Sequence, residues 1–183
     1  MSQLCLDLRE LPQRSGATLQ RHVTYTVGEE WTTPVAHITP GVELDMDISL
    51  QAIDQGVLAH VRTRVPAEAE CVRCLDRVDL TRDVDLYQVF YLPDERDKLV
   101  ADGDEDAAYE PVIEGDAIDL TPVLRDATVG QLPLQPLCSE DCLGLCSTCG
   151  EPLRDLEDDH HHDVVDPRWS ALAGLLGEVK ETT

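Results

Sequence analysis

Alternating apolar and polar residues predict antiparallel strands in the first half of the chain. In the segment from residue 42 to 53, apolar side chains fill every second position from Val42 to Leu50, and three carboxylates and a serine lie between them. The same period of two returns over residues 57 to 65 and 78 to 91, and a polar turn separates the first two segments. Strands of this pattern bury one face and expose the other. We therefore expect an antiparallel meander that begins with a hairpin.

Three shorter N-terminal segments, near residues 4 to 8, 18 to 27 and 35 to 38, supply further candidate strands. Pro34, Pro40 and Gly41 interrupt this part of the pattern.

Helical periodicity is confined to the second half of the chain. Thr121 and Pro122 suit the start of a short helix that ends before Pro133. A second helix is predicted from Asp166, a capping residue, because the apolar residues after it share one face. That stripe consists of Trp169, Leu172, Leu175 and Leu176. Between strands and helices, residues 93 to 117 are so rich in carboxylates, Gly and Pro that we expect a mobile acidic loop.

These elements predict an α+β fold: a β-rich antiparallel meander with a Cys-rich zinc-knuckle module and a C-terminal amphipathic helix. The predicted division has three parts. Residues 1–92 form the β-rich core with the first Cys pair, residues 93–117 the acidic loop, and residues 118–183 the helix, the zinc module and the last helix.

The formal net charge of -23 over 183 residues affects which kinds of partner the chain can bind. Such a field repels phosphate backbones at long range and favours basic proteins, so RNA contact requires a local basic site. The N-terminus lacks a basic start and a sustained apolar run, and no stretch of about 18 apolar residues occurs. We expect a cytoplasmic protein without a membrane segment.

Six of the seven cysteines are clustered, which indicates a metal site in a reducing compartment. "CVRC" and "CSTCG" have the spacing of zinc knuckles, and the glycine after the second pair tolerates positive φ. "DDHHHD" supplies His160, His161 and His162, of which we assign His161 and His162 as ligands. The assigned thiol ligands are Cys71, Cys74, Cys138, Cys142, Cys146 and Cys149.

Three pairings of these ligands stay open. In the first, Cys71 and Cys74 join Cys138 and Cys142, while the remaining two thiols use histidines. In the second, both Cys-x2-Cys pairs share one ion, and in the third a single site lies wholly within residues 138 to 149. Free thiols, disulfides and a thiol oxidoreductase are alternatives, but neither pair has the strand-to-helix context of a reactive thiolate. Full thiolate shells are typical of structural zinc, and no nucleophile or phosphate-loop motif occurs, so no enzyme is expected.

Four arginines near the first Cys pair are the candidate RNA contacts, in a chain with only 14 basic residues. They are Arg62, Arg64, Arg73 and Arg77. Arg62 and Arg64 also share a predicted face with carboxylates of neighbouring strands, so cross-strand ion pairs are the competing interpretation.

Three segments together resemble a known family: "CVRCLD" after a hairpin, "DLTPVLRDATVGQLPLQPLCSEDCLGLCSTCGEPL", and "DPRWSAL". The combination resembles the bacterial YceD family, also called DUF177 or the large ribosomal RNA subunit accumulation protein family, over roughly residues 40 to 180. The resemblance implies a cytoplasmic factor that supports 23S rRNA accumulation in large-subunit biogenesis, rather than an enzyme. Its partners would be 23S rRNA or a pre-ribosomal particle, with a basic ribosomal protein as the alternative.

The resemblance also bears on the metal ligands. Some relatives carry cysteines at the positions of His160 to His162, which would suit a second site with Cys146 and Cys149. Others lack part of the second cysteine cluster, which would favour Cys71, Cys74, Cys138 and Cys142 as the shared site.

Overall fold

The structure is a computed structural model that describes residues 3–162 and Arg168. The chain divides into two compact units, Met1–Glu140 and Asp141–Thr183. The sequence-based boundaries at residues 92 and 117 stay predictions. The predicted C-terminal helix lies outside the described residues, apart from Arg168.

Eight antiparallel strands form two sheets in the first unit, which confirms the predicted β-rich α+β fold. The small sheet pairs β1 (Cys5–Asp7) with β8 (Ala117–Asp119). The main-sheet strands are β2 (Thr18–Thr26), β3 (Trp31–Thr32), β4 (Ala36–Ile38), β5 (Glu43–Ile53), β6 (Gly56–Glu70) and β7 (Arg77–Tyr91). In this sheet β2 pairs with β5, β5 with β6, and β6 also with β4 and β7, while β3 lies beyond β4.

The long strands follow the predicted alternation, since one face of the main sheet carries the core. Leu44, Met46 and Ile48 of β5 are buried, and the carboxylates between them are exposed. Along β6 the inward residues pair with those of β7, so that Val61 lies opposite Leu86 and Ala59 opposite Gln88. The outward face of β5 and β6 therefore holds their charged residues, whereas β7 also carries Arg82 on the inward side, opposite the buried Val65.

Helix α2 (Thr121–Gly130) packs on the same core through Leu124, which is fully buried. The Thr121 amide donates to Asp119 Oδ1 at 2.8 Å, and the Leu4 amide donates to Thr121 Oγ1 at 2.7 Å. These bonds attach the start of the helix to the small sheet. Pro122 stands in the first turn, as the sequence predicts.

Residues 93 to 117, which the sequence predicts to be a mobile acidic loop, contain regular secondary structure. They contain helix α1 (Pro93–Ala101) and a 3-10 turn at Asp106–Tyr109. No residue of α1 is buried. Local features stabilise it instead: a proline and acidic residues in the first turn, and an ion pair of 2.6 Å between Lys98 and Glu95.

No helix within the described part of the chain has the length and the hydropathy needed to cross a membrane.

Candidate metal centres

The connection between β6 and β7 is a tight turn that carries Cys71 and Cys74. The Cys71 amide donates to the Asp76 carbonyl at 2.8 Å, and the Leu75 amide donates to the Cys71 carbonyl at 2.8 Å. Leu75 adopts a positive φ of 63°, and no other non-glycine residue in the described part of the chain does so. This backbone closes the turn and points both thiols to one side.

A second segment brings Cys138 to this turn. The Val72 amide donates to the Pro136 carbonyl at 3.0 Å, two residues before Cys138. The Sγ atoms of Cys74 and Cys138 are 3.5 Å apart. With Cys142 these side chains form a group, which we call the four-cysteine group, whose sulfur atoms all lie within 4.8 Å of one another.

The four-cysteine group contains an acidic thiol. Burial raises the pKa of the Cys71 thiol, but amide donation from Cys138, Arg73 and Cys74 outweighs burial and lowers the pKa to about 6. Cys71 and Cys74 are buried, whereas Cys138 is exposed. A thiolate is the form that binds a metal ion, so the turn prepares this group for ligation.

The turn at Cys146 and Cys149 repeats the first turn bond for bond. The Cys146 amide donates to the Glu151 carbonyl at 2.8 Å, and the Gly150 amide donates to the Cys146 carbonyl at 2.8 Å. Gly150 has a φ of 76° and occupies the position that Leu75 occupies in the first turn. Both Cys-x2-Cys segments are thus knuckle-type turns, although only one has the glycine.

Two histidines complete a second group, which we call the Cys2His2 group: Cys146, Cys149, His160 and His162. The Cys149 Sγ atom lies 3.6 Å from His160 Nε2, and the Nε2 atoms of His160 and His162 lie 2.9 Å apart. Amide donation from Cys149 and Thr148 lowers the pKa of the Cys146 thiol to about 6, with a further bond from the His160 ring. All four ligand atoms lie within 4.8 Å of one another.

One donor separation in each group is close to the edge of a tetrahedral zinc site, whereas the 2.9 Å between the two histidine nitrogens is shorter than the corresponding edge of about 3.3 Å. With Zn–S bonds of about 2.3 Å and Zn–N bonds of about 2.05 Å, a tetrahedron separates two sulfurs by about 3.8 Å and a sulfur from a nitrogen by about 3.6 Å. The Cys74–Cys138 separation of 3.5 Å and the Cys149–His160 separation of 3.6 Å lie close to these edges. Each group offers four donors, so each can hold one metal ion.

The structure groups the ligands as in the first of the three pairings left open by the sequence, with one difference. His161, which we assigned as a ligand, is absent from the Cys2His2 group, and His160 takes its place. The His161 Nδ1 atom instead lies 2.8 Å from the Asp159 carbonyl oxygen. His160 and His162, two positions apart, therefore lie side by side, and the ring of His161 between them has a different partner. That spacing was the signal in the sequence.

The adjacent histidines provide a matched test of this grouping. We expect His160→Ala to remove one metal ion per chain and His161→Ala to leave the metal content unchanged, because only His160 lies beside Cys149. Metal analysis of both purified variants measures the difference. Equal metal content in the two variants would contradict the grouping.

The Leu75 backbone leads to a second prediction. A left-handed conformation costs a non-glycine residue about 1–2 kcal/mol, and Leu75 is 63% exposed, so little packing offsets that strain. Leu75→Gly should therefore raise the free energy of unfolding by about 1 kcal/mol, with metal content unchanged. Chemical denaturation of the metal-loaded protein measures the change, with Val72→Gly, in the same turn without positive φ, as a destabilised control.

The four arginines assigned to RNA lie near one another in sequence but differ in their partners. Arg64 pairs with Asp83 at 2.8 Å, and Arg77 pairs with Asp79 at 3.0 Å and with Glu68 at 3.1 Å. A guanidinium nitrogen of Arg73 lies 3.4 Å from the Glu140 carbonyl oxygen.

Arg62 lies between Asp47 and Asp85 in the strand register, yet it forms no ion pair among the described residues. Those two carboxylates instead contact His22 and His60, at 3.0 and 2.7 Å. The competing interpretation, cross-strand ion pairing, therefore describes Arg64 rather than Arg62.

The fold and the two groups define a class: a β-rich α+β protein with two sulfur-containing groups suited to metal ions. Comparison with known families then gives the membership. The chain matches the family described as Large ribosomal RNA subunit accumulation protein YceD over residues 59–176, more than half of its length. This chain belongs to that family, which confirms the resemblance found in the sequence.

Relatives extend the likeness to nearly the whole chain. An uncharacterised protein of Mycobacterium tuberculosis is 33% identical over 181 residues, which cover 99% of this chain and 85% of the relative. An uncharacterised protein of Mycobacterium leprae is 32% identical over 184 residues, 100% of this chain and 82% of the relative. The uncharacterised YlbN of Bacillus subtilis is 31% identical over 72 residues, 39% of this chain and 42% of that protein. No solved structure matches.

Proposed function

We propose that this protein is a non-enzymatic, cytoplasmic factor of ribosome biogenesis that supports accumulation or processing of 23S rRNA. The observation that carries the proposal is membership of a family whose name refers to accumulation of large-subunit ribosomal RNA. The geometry supports a binding role rather than a catalytic one, because the two Cys/His groups each supply four protein donors. A closed tetrahedral shell is typical of structural metal sites, whereas catalytic sites keep a position for water or substrate.

Zinc is the ion that we propose for both groups. Four thiolates, and two thiolates with two imidazoles, are ligand sets of structural zinc sites. The Cys74–Cys138 and Cys149–His160 separations are also close to the edges of a zinc tetrahedron. The chemistry that zinc supplies here is cross-linking of the chain. Within the first unit, the backbone bond between Val72 and Pro136 holds the two ligand segments together, and Cys71, Cys74 and Cys138 would bind the ion.

RNA contact would fall on the outward face of the main sheet, where Arg62 and Arg64 of β6 lie. Arg62 is the strongest candidate, since it forms no ion pair among the described residues, while Arg64 and Arg77 are neutralised by carboxylates. A guanidinium can donate two bonds to one phosphate, so even one or two such residues fix a strand locally. The surrounding acidic surface would then limit binding to that place.

The test is to crosslink the tagged protein in its own cells, purify it, and sequence the attached RNA with and without nuclease treatment. Enrichment of discrete 23S segments is expected, and Arg62→Ala should reduce their recovery at least about tenfold more than Arg77→Ala, because one charged hydrogen bond contributes about 1.5–3 kcal/mol. Absence of 23S segments from the wild-type sample would refute direct contact.

A second candidate function is an acidic adaptor that binds a basic ribosomal protein or assembly factor without touching RNA. The ion pairs of Arg64 and Arg77 favour it, as does the exposed acidic segment that includes α1. Binding that survives nuclease, falls with salt, and is lost when the carboxylates of residues 94 to 106 become amides would support the adaptor.

A further inference from the structure

We infer that the tip of the first knuckle turn is a docking surface for a basic protein segment that carries an apolar side chain. The surface, which we call the apolar tip, consists of Val72, Leu75 and Leu134. Their side chains are 42%, 63% and 81% exposed. The bond from the Val72 amide to the Pro136 carbonyl joins the two segments that carry them.

Leu75 distinguishes this surface from ordinary exposed leucines. Isolated apolar residues on a surface need no explanation, but Leu75 stands in a left-handed conformation that glycine adopts without strain. The equivalent position in the second turn is Gly150, with nearly the same φ and the same hydrogen bonds. The first turn thus keeps a strained, exposed leucine where its own fold would accept glycine. Strained residues at exposed positions are characteristic of binding sites.

The chemistry of the tip favours protein over RNA. RNA bases are held by stacking on aromatic or guanidinium planes, whereas the three side chains of the tip are aliphatic. The guanidinium of Arg73, in the same turn, lies 3.4 Å from the Glu140 carbonyl oxygen. Glu70 and Glu140 border the turn, are exposed, and form no ion pair among the described residues. With the net charge of -23, these carboxylates complement lysines or arginines beside an apolar anchor. The occupant is therefore a basic, amphipathic protein segment.

This surface is separate from the sites proposed above. It does not include Arg62, the proposed RNA contact, although Arg73 lies in the same turn. It also differs in place from the acidic segment of the adaptor hypothesis. Loss of RNA crosslinks in the earlier test would leave the apolar tip intact, and failure of the tip would not affect rRNA accumulation through Arg62.

The experiment places a photo-crosslinking amino acid at position 72 in the full-length protein in its own cells, and at Tyr109, 89% exposed, as the control. Position 72 should yield a crosslink, absent at position 109, to a protein segment rich in lysine and arginine. That protein, purified, should bind Leu75→Gly at least about tenfold more weakly than wild type, because burying a leucine contributes about 1.5–3 kcal/mol.

Two readouts separate docking from a structural role. Leu75→Gly should keep its metal content and unfold at the same or a higher temperature while binding is lost; a structural leucine would lower both together. A crosslink from position 72 to rRNA, the same products at positions 72 and 109, or full binding by Leu75→Gly would each overturn the proposal.

Discussion

Replacing Cys74 with serine is expected to remove one metal ion per chain and to lower the free energy of unfolding by more than about 3 kcal/mol, since a structural zinc ion contributes about 10–16 kcal/mol in small zinc domains. Cys74 is buried, and its sulfur lies 3.5 Å from that of Cys138. A hydroxyl is a poor zinc ligand, so the ion is lost and the turn between β6 and β7 is no longer attached to the segment before Cys138. Metal analysis and denaturant unfolding measure both effects.

Two matched variants complete this comparison. Cys5→Ser changes an exposed thiol outside both groups and should alter neither metal content nor stability by more than about 0.5 kcal/mol. Cys146→Ser should remove one ion while the four-cysteine group keeps the other. If Cys74→Ser retained two ions, or if Cys146→Ser lost both, the assignment of two separate groups would be wrong.

The second large effect is expected in the core rather than at the metal. Leu124→Ala should lower the free energy of unfolding by about 2–5 kcal/mol because a cavity remains where the fully buried side chain packed. The metal content should stay unchanged, since no ligand lies on α2. Val123→Ala, at a half-buried neighbouring position, serves as the control and should have a smaller effect. Loss of metal from folded Leu124→Ala would show that the core and the metal groups are more tightly coupled than the structure indicates.

The long strands could be predicted because apolar and polar residues alternate along them, and this pattern is enough to identify a strand with one buried face. A sheet with one buried face favours apolar residues at every second position. Strand β5 keeps that alternation throughout, while β6 departs from it at Thr63 and β7 at Arg82 and Gln88. The short strand β8 carried no such signal. It exists because its three residues pair with β1, more than a hundred positions away, and sequence pattern does not report partners at that distance.

Helix α1 escaped prediction for a different reason. A loop is predicted because residues 93 to 117 have too few apolar side chains to bury. Helix α1 forms there although none of its residues is buried. Its stability comes from the proline, the first-turn carboxylates and the Lys98–Glu95 pair, which are local.

The metal ligands were recognisable by type but not by grouping. Spacing identified each knuckle turn, yet which thiols share an ion depends on how separate segments meet. The missing glycine made the first turn look weaker than it is, because the backbone accepts strain at Leu75. Histidines at positions 160 to 162 differ only in the side to which each ring turns, which distinguishes His161 from its neighbours.

The most direct test of the central claim is the ratio of 23S to 16S rRNA in cells that lack this protein. We expect a lower ratio in these cells, restored by the wild-type gene and by the Cys5→Ser variant but not by Cys74→Ser. A ratio that stays at the wild-type value when the protein is absent would contradict a role in 23S rRNA accumulation.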